Sequence, residues 1–414
     1  MAEERNWTFD MPRHAEAEHI IVQICGGSAP PDAQFAALRH ADWRALEAIA
    51  VRTRTANLLG RYLQVNGIEP PADIGAGLDD LYRRQSIYGL EQRMVLGRVS
   101  QLLGERGIPH VALKGAALAF TVYPQPAMRP LRDIDILVRA GRAEEAHEWL
   151  RDNRFVLASW AQNYGTEYNH QLPELVCESD QVTVEIHHRI FSRNWHGDAE
   201  LSAMLLKTAT RAKLGATLAC FAHPLANLLH LTVHATLHNC FENGPLTISD
   251  IHGLWRQPEL DREALVVAAD RMGLGRSLDL LLAIGRQAGP IDLPASIARR
   301  VDAANPFVDR ALDAMFQLPA EVERRALVRR LQFREAETGP AAALRRMLRP
   351  TPQKLAELAG TQARDRWRWI GYPVWLWRRG LSYLQGVAST SVRSAAQGDA
   401  QMLQWLRQDG ADKT

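Results

Sequence analysis

The run Leu131-Arg132-Asp133-Ile134-Asp135-Ile136-Leu137-Val138 sets two carboxylates one residue apart inside an apolar stretch that reads as a buried strand. Side chains at i and i+2 of a strand point the same way, so Asp133 and Asp135 face one spot. Like charges that close repel, and burial makes it worse unless a cation sits between them; the pair asks for a metal. Just upstream, Val111-Ala112-Leu113-Lys114-Gly115-Ala116-Ala117 reads as a short strand, a tight glycine turn and the opening of a helix, whose free backbone N–H groups suit a phosphate. Metal beside phosphate suggests nucleotide chemistry. Such chemistry needs hard carboxylate oxygens for Mg²⁺ and a further acidic group on the side of the attacking hydroxyl. Glu185, in the alternating segment 182–187, fills that place if its strand lies beside 133–138.

These residues together resemble the uncharacterised nucleotidyltransferases of the DNA polymerase β superfamily. That family carries a helical lead-in, an LKG turn, an arginine shortly before a DIDLLV strand, and a later strand of Glu, an apolar residue and His. Here the matching positions are Leu113-Lys114-Gly115, Arg129, the strand from Asp133 to Val138, and Glu185-Ile186-His187, and the likeness runs from about residue 40 to the 350–377 region. The resemblance implies an α+β fold with a small mixed sheet, flanked by helical regions. It implies Mg²⁺ or Mn²⁺ held by Asp133, Asp135 and Glu185, and a nucleoside triphosphate as substrate. The nucleoside monophosphate would pass to a small-molecule, peptide or sugar acceptor, or another natural product, with release of pyrophosphate. A nucleotide-binding regulatory or toxin–antitoxin role on the same scaffold is the alternative, and a metal-dependent phosphohydrolase a third. The wider superfamily has Gly-Gly or Gly-Ser at the turn, whereas this chain has Lys114-Gly115-Ala116. Lys114 then either supplies charge to phosphate or pairs with a carboxylate. Arg129 and Arg132 flank the strand and are placed to clamp phosphate oxygens, with solvent as the equal alternative for Arg132. His187 shares Glu185's face and would support the metal's ligands or the acceptor, with a satisfied core histidine as the plainer reading.

A second group, His230, His234 and His238, recurs at i, i+4 and i+8 on one helix face. The outer two are separated by about 12 Å of rise on a straight helix, so one zinc ion cannot touch all three. His234 is expected to line a cleft between the helical region and the sheet. Asp250 falls where the family also carries an aspartate, and helix N-capping is its simplest role.

These groups need elements to hold them. Apolar periodicity predicts a helix from Asp42, as N-cap, to about residue 63, an interruption over 70–77, and a helix over 78–106. Residues 30–107 read as a helical lead-in. Strands are expected at 110–113, 134–138, 155–159, 175–178 and 182–187, with helices after Gly115 and over 143–153, so that 108–195 form the nucleotidyltransferase core. From about 201 the chain reads as helical, with a break near 241–245, making 196–390 a helical C-terminal region. Residues 366–379 crowd tryptophans among arginines. A helix pair packing its aromatics back on the domain, arginines in solvent, is the favoured reading; a membrane-surface or ligand-stacking segment is the other.

With 414 residues, two or three domains are expected. Basic and acidic side chains number 49 and 47, so no polyanion attraction follows and nucleic acid is not expected as a partner. The four cysteines form no CxxC pair, which fits a reducing cytoplasm better than a zinc site or a disulfide framework. No secretory signal or bilayer-spanning run is expected, the longest apolar stretch being broken at Asn227 and His230.

Overall fold

A computed structural model describes residues 13–161, 170–179, 181–191, 195–303, 305–332, 350, 352–361 and 365–411. The chain falls into two compact units, Met1–Phe316 with Asp409–Thr414, and Gln317–Gln408.

The first unit is α+β. Its strands are β1 (His110–Ala112), β2 (Asp133–Val138), β3 (Phe155–Leu157), β4 (Leu175–Cys177), β5 (Thr183–His187), β6 (Thr210–Leu214) and β7 (Thr217–Phe221). They form one mixed sheet in the order β3-β4-β5-β2-β1-β7-β6. β2 is central, antiparallel to β1 and parallel to β5. Alternation explains its two faces. Ile134, Ile136 and Val138 join Val184, Ile186 and the apolar side of the helix Ala72–Glu105 in a fully buried core, which leaves the odd-numbered residues of β2 and β5 on the opposite face. Each such buried aliphatic contributes about 1.5–3 kcal/mol. A few of them offset the several kcal/mol that crowding ionised groups on the other face costs.

Four local expectations need correction. Asp42 does not cap the helix His40–Arg52; it sits on its first turn and accepts from the Arg39 backbone N–H at 3.0 Å, while the chain breaks at Thr53-Arg54-Thr55 before a second helix, Ala56–Asn66. The interruption over 70–77 is absent beyond Pro71, because a proline just ahead of a helix gives up only an N–H that has no helical partner; the helix starts at Ala72 and runs 34 residues. Residues 210–221, expected to be helical, are the hairpin β6–β7, turning at Gly215 with φ 65°. β6 is the sheet's edge and exposes Arg211 and Lys213, so it lacks the apolar alternation that marks a strand. The helix Pro224–Val233 does not continue straight but widens into a π-turn over His234–His238.

The second unit is helical: Pro319–Gln332, Pro352–Ala359, a 3₁₀ turn at Arg366–Ile370, Gly371–Ala388 and Thr390–Ala411. A buried ion pair at 2.8 Å, Arg325 to Asp399, ties its first helix to its last. Here the expected placement of the aromatics holds only in part. Trp375 is buried, but Trp367, Trp369 and Trp377 are more than half exposed. No described helix is long and apolar enough to cross a membrane.

Candidate active site

The parallel register of β2 and β5 sets Asp135 opposite Glu185, Leu137 opposite His187 and Asp133 opposite Thr183. Strand adjacency, needed for Glu185 to meet the aspartates, is therefore present. His187 Nε2 lies 2.8 Å from Asp135 Oδ1 and 3.4 Å from Glu185 Oε2. Donor atoms of Asp135, Glu185 and His187 all come within 4.8 Å of one another, the one such group among the described residues. Asp133 lies outside it, one pleat away on the same face.

Lys114 closes the group from the side of the turn, its Nζ 2.6 Å from Asp135 Oδ1. Of its two anticipated uses, carboxylate pairing is the one seen. Lys114 itself, rather than Gly115, takes the left-handed backbone, with φ 47°, where a side chain is strained and the surroundings must hold it. Leu113 helps, donating its N–H to the Asp135 carbonyl at 2.9 Å. Gly115 is needed for room. A Cβ there would lie 2.7 Å from both Arg129 Nη1 and Leu131 Cδ2.

The charges set one another. Burial alone would raise the Asp135 pKa, but Lys114 and His187 override it and hold the carboxyl well below its ordinary value. Burial would lower both cations; Asp135, Glu185 and Asp133 keep Lys114 raised, and hydrogen bonds to Asp135 and Glu185 keep His187 raised. Asp133 goes the other way, raised by burial and then by its repulsion from Asp135 and Glu185. The two aspartates of the motif thus do different things: Asp135 is held ionised, while Asp133 takes up a proton readily.

Arg129 pairs with a carboxylate outside the strand motif. Its guanidinium grips Asp250 in two bonds, Nε to Oδ1 at 3.0 Å and Nη2 to Oδ2 at 2.8 Å, and Tyr123 donates its hydroxyl to the same Oδ1 at 2.8 Å. Asp250 is no N-cap: it sits inside the helix Leu246–Trp255, 1% exposed. Arg132 is exposed.

His234 and His230 line a cavity with Lys114, Arg129, Asn227 and Asn243. Its volume of about 20 Å³ has room for one water, so it backs the site rather than forming a nucleotide-sized cleft. The histidine rings run on toward the carboxylates: centroids are 6.3 Å apart for His230 and His234, 5.7 Å for His234 and His238, 5.0 Å for His238 and His170, and 5.2 Å for His170 and His187. Burial, then nearby positive charge, pushes His230 down to about 3, His238 to about 4 and His170 to about 2. A histidine that is neutral when folded yet takes a proton at about 6.5 when unfolded gives stability that is complete above that pH and fades below it. Urea unfolding at pH 7.5 and pH 5 should therefore show a loss of stability on acidification. In His230→Gln the slope should flatten by up to about 1.4 kcal/mol per pH unit; an unchanged slope would remove His230 from the account.

Sequence reading missed two members of this neighbourhood. His170 precedes β5 with no spacing cue. Arg54, in the break between two helices, has φ 63° and donates from Nη2 to the Asn243 carbonyl at 3.4 Å. Burial and then the charges of Arg132 and Arg129 bring it down to about 10, the mark of a cation crowded by cations. A break between helices at a residue of unfavourable left-handed propensity was its only available signal.

An acidic group with one imidazole, bordered on one side by Lys114 and crowded arginines, can hold a divalent cation next to a polyanion. Compared with known families, residues 39–288 match one described as uncharacterised nucleotidyltransferases. No curated protein matches the chain.

Proposed function

The chain belongs to the uncharacterised nucleotidyltransferase family, and from that premise we propose that it passes a nucleoside monophosphate from a nucleoside triphosphate to a small-molecule, peptide or sugar acceptor, releasing pyrophosphate. The observation that carries this reading is the meeting of Asp135, Glu185 and His187 within 4.8 Å, with the Lys114 ammonium against Asp135. Two carboxylates and an imidazole suit Mn²⁺ as well as Mg²⁺, and the ion would sit where the carboxylate charge is concentrated. Bound there, it supplies charge neutralisation to the phosphates and lowers the pKa of an acceptor hydroxyl.

The remaining work falls to the chain's own groups. Lys114 is placed to turn from Asp135 to the phosphates, and an ion held by Asp135, Glu185 and His187 would keep Asp135 compensated. The acceptor oxygen bonds to the α-phosphorus as the bond to the bridging β-oxygen breaks, and Glu185, 13% exposed beside Asp135, receives the hydroxyl proton. Without the ion His187 Nε2 bridges the two carboxylates; as a ligand it would give up the proton it shares with them. Catalysis then rests on positioning and on charges already in place.

Incubating the full chain with triphosphate labelled at the α-phosphate, Mg²⁺ or Mn²⁺, and a panel of peptides, sugars and small hydroxyl compounds tests the reading. Label on an acceptor together with free pyrophosphate is expected. Saturable binding without turnover would make the protein a nucleotide sensor, and release of nucleotide without any acceptor would make it a hydrolase. Arg54 belongs to the phosphate side. Arg54→Gln should raise KM for the triphosphate about tenfold with kcat less affected, the size of one charge-assisted hydrogen bond. A kcat loss with unchanged KM would place Arg54 elsewhere.

A further inference from the structure

The helix Gly371–Ala388 shows its apolar side to the wrong medium. Its packed face is fixed at three points: a Cβ on Gly371 would meet the Leu355 carbonyl oxygen at 2.4 Å, Trp375 is buried, and a Cβ on Gly386 would lie 2.9 Å from Val328 Cγ2. At 100° per residue the opposite face carries Ile370, Val374, Trp377, Leu381 and Leu384. Those positions step by four, three, four and three, which is one continuous stripe. Each is between 42% and 73% exposed. A helix whose inner side is satisfied ordinarily turns charge toward water; this one turns a second apolar seam outward.

What covers the seam is indicated by charge. From 366 to 388 the sequence holds Arg366, Arg368, Arg378 and Arg379 and no Asp or Glu. Three of these arginines lie over tryptophan rings, Arg366 on Trp367 at 5.3 Å, Arg368 on Trp369 at 5.6 Å and Arg379 on Trp375 at 5.2 Å. A second copy would bring the same exposed positive charges, Arg366 and Arg378, against these, and a coiled-coil partner is ordinarily chosen by charges of both signs beside the seam. Tryptophan and arginine side by side, each an apolar body with a wet edge, fit the boundary between headgroups and acyl chains. The helix cannot span a bilayer. We propose that the face Ile370–Val374–Trp377–Leu381–Leu384, with the exposed Arg366 and Arg378 beside it, seats this protein flat on an anionic lipid surface.

Flotation of the full chain with vesicles tests this, using phosphatidylcholine alone and phosphatidylcholine carrying about a third phosphatidylglycerol; binding to the anionic vesicles should exceed that to the neutral ones at least about tenfold at low salt and should weaken as salt shortens the screening length. Tryptophan emission should shift to the blue on binding. The double variant Trp377→Ser/Leu381→Ser removes only exposed apolar groups, so its melting temperature should stay with the parent's while anionic-vesicle binding drops about tenfold or more. Binding unchanged in that variant, no binding to either vesicle, or a dimer in light scattering that the same variant splits would each overturn the proposal. The last of these would make a second copy the occupant.

Discussion

Asp135→Asn is expected to cut nucleotidyl transfer by about a thousandfold or more, roughly 4 kcal/mol at the barrier, with a smaller loss of stability from the two cations it leaves less compensated. The asymmetry follows from what Asp135 touches. Its Oδ1 is shared by the Lys114 ammonium at 2.6 Å and His187 Nε2 at 2.8 Å, and it stands opposite Glu185 in the strand register. An asparagine of the same shape still accepts from Lys114 through its amide oxygen, so the fold loses a charge without gaining a hole. The site loses more: the remaining carboxylate and imidazole are one donor short of a cation site, and the negative charge that holds Lys114 at the mouth of the site is gone. Titration calorimetry with Mn²⁺ should report the loss of ion uptake directly, apart from any activity. Asp133→Asn should cost much less in ion affinity, because Asp133 lies outside the group of converging donors and is itself driven toward the protonated form. Equal losses of affinity in the two variants would return Asp133 to an equal share of the ion, as the sequence motif alone suggests.

That difference between two aspartates marks where reading the sequence stops. Alternation in 133–138 and 182–187 was enough to place both strands to within a residue and to put Asp133, Asp135, Glu185 and His187 on one face, because period two is a local property of the chain. Register is not local. Which aspartate stands opposite the glutamate depends on how β5 slides along β2, and a slip of two would keep every side chain on its face while exchanging their roles. The same limit explains Lys114, whose partner and left-handed backbone are set by Asp135 across the sheet, and Arg54, which a helix break 60 residues upstream delivers beside Asn243 and Arg129. The hairpin β6–β7 was hidden for a different reason: an edge strand facing water with Arg211 and Lys213 does not show the pattern that burial writes into a sequence.

Asp250→Ala should destabilise the protein by about 3–5 kcal/mol, the cost of leaving a buried arginine without its carboxylate. Arg129 is buried and gives Asp250 two bonds, and Tyr123 adds a third. Removing the carboxylate orphans all of these donors at once, with only the one-water cavity that Arg129 lines to satisfy them. The same event would disturb the turn that carries Lys114, since Arg129 Nη1 passes so close to Gly115 that a Cβ there would lie 2.7 Å away. An unpaired guanidinium seeking other acceptors has Asp133 near enough to feel its charge. Loss of stability and loss of triphosphate affinity should therefore travel together in Asp250→Ala, which a surface salt bridge would not produce. The paired replacement Arg129→Met/Asp250→Leu separates structure from chemistry. It removes both charges, keeps similar volume and leaves only the Tyr123 hydroxyl to find a partner, so most of the stability should return in urea unfolding. If transfer returns with it, Arg129 is a strut for the Lys114 turn; if stability returns and KM for the triphosphate stays high, its charge acts on phosphate after all, as the arginine's place before the strand motif first suggested.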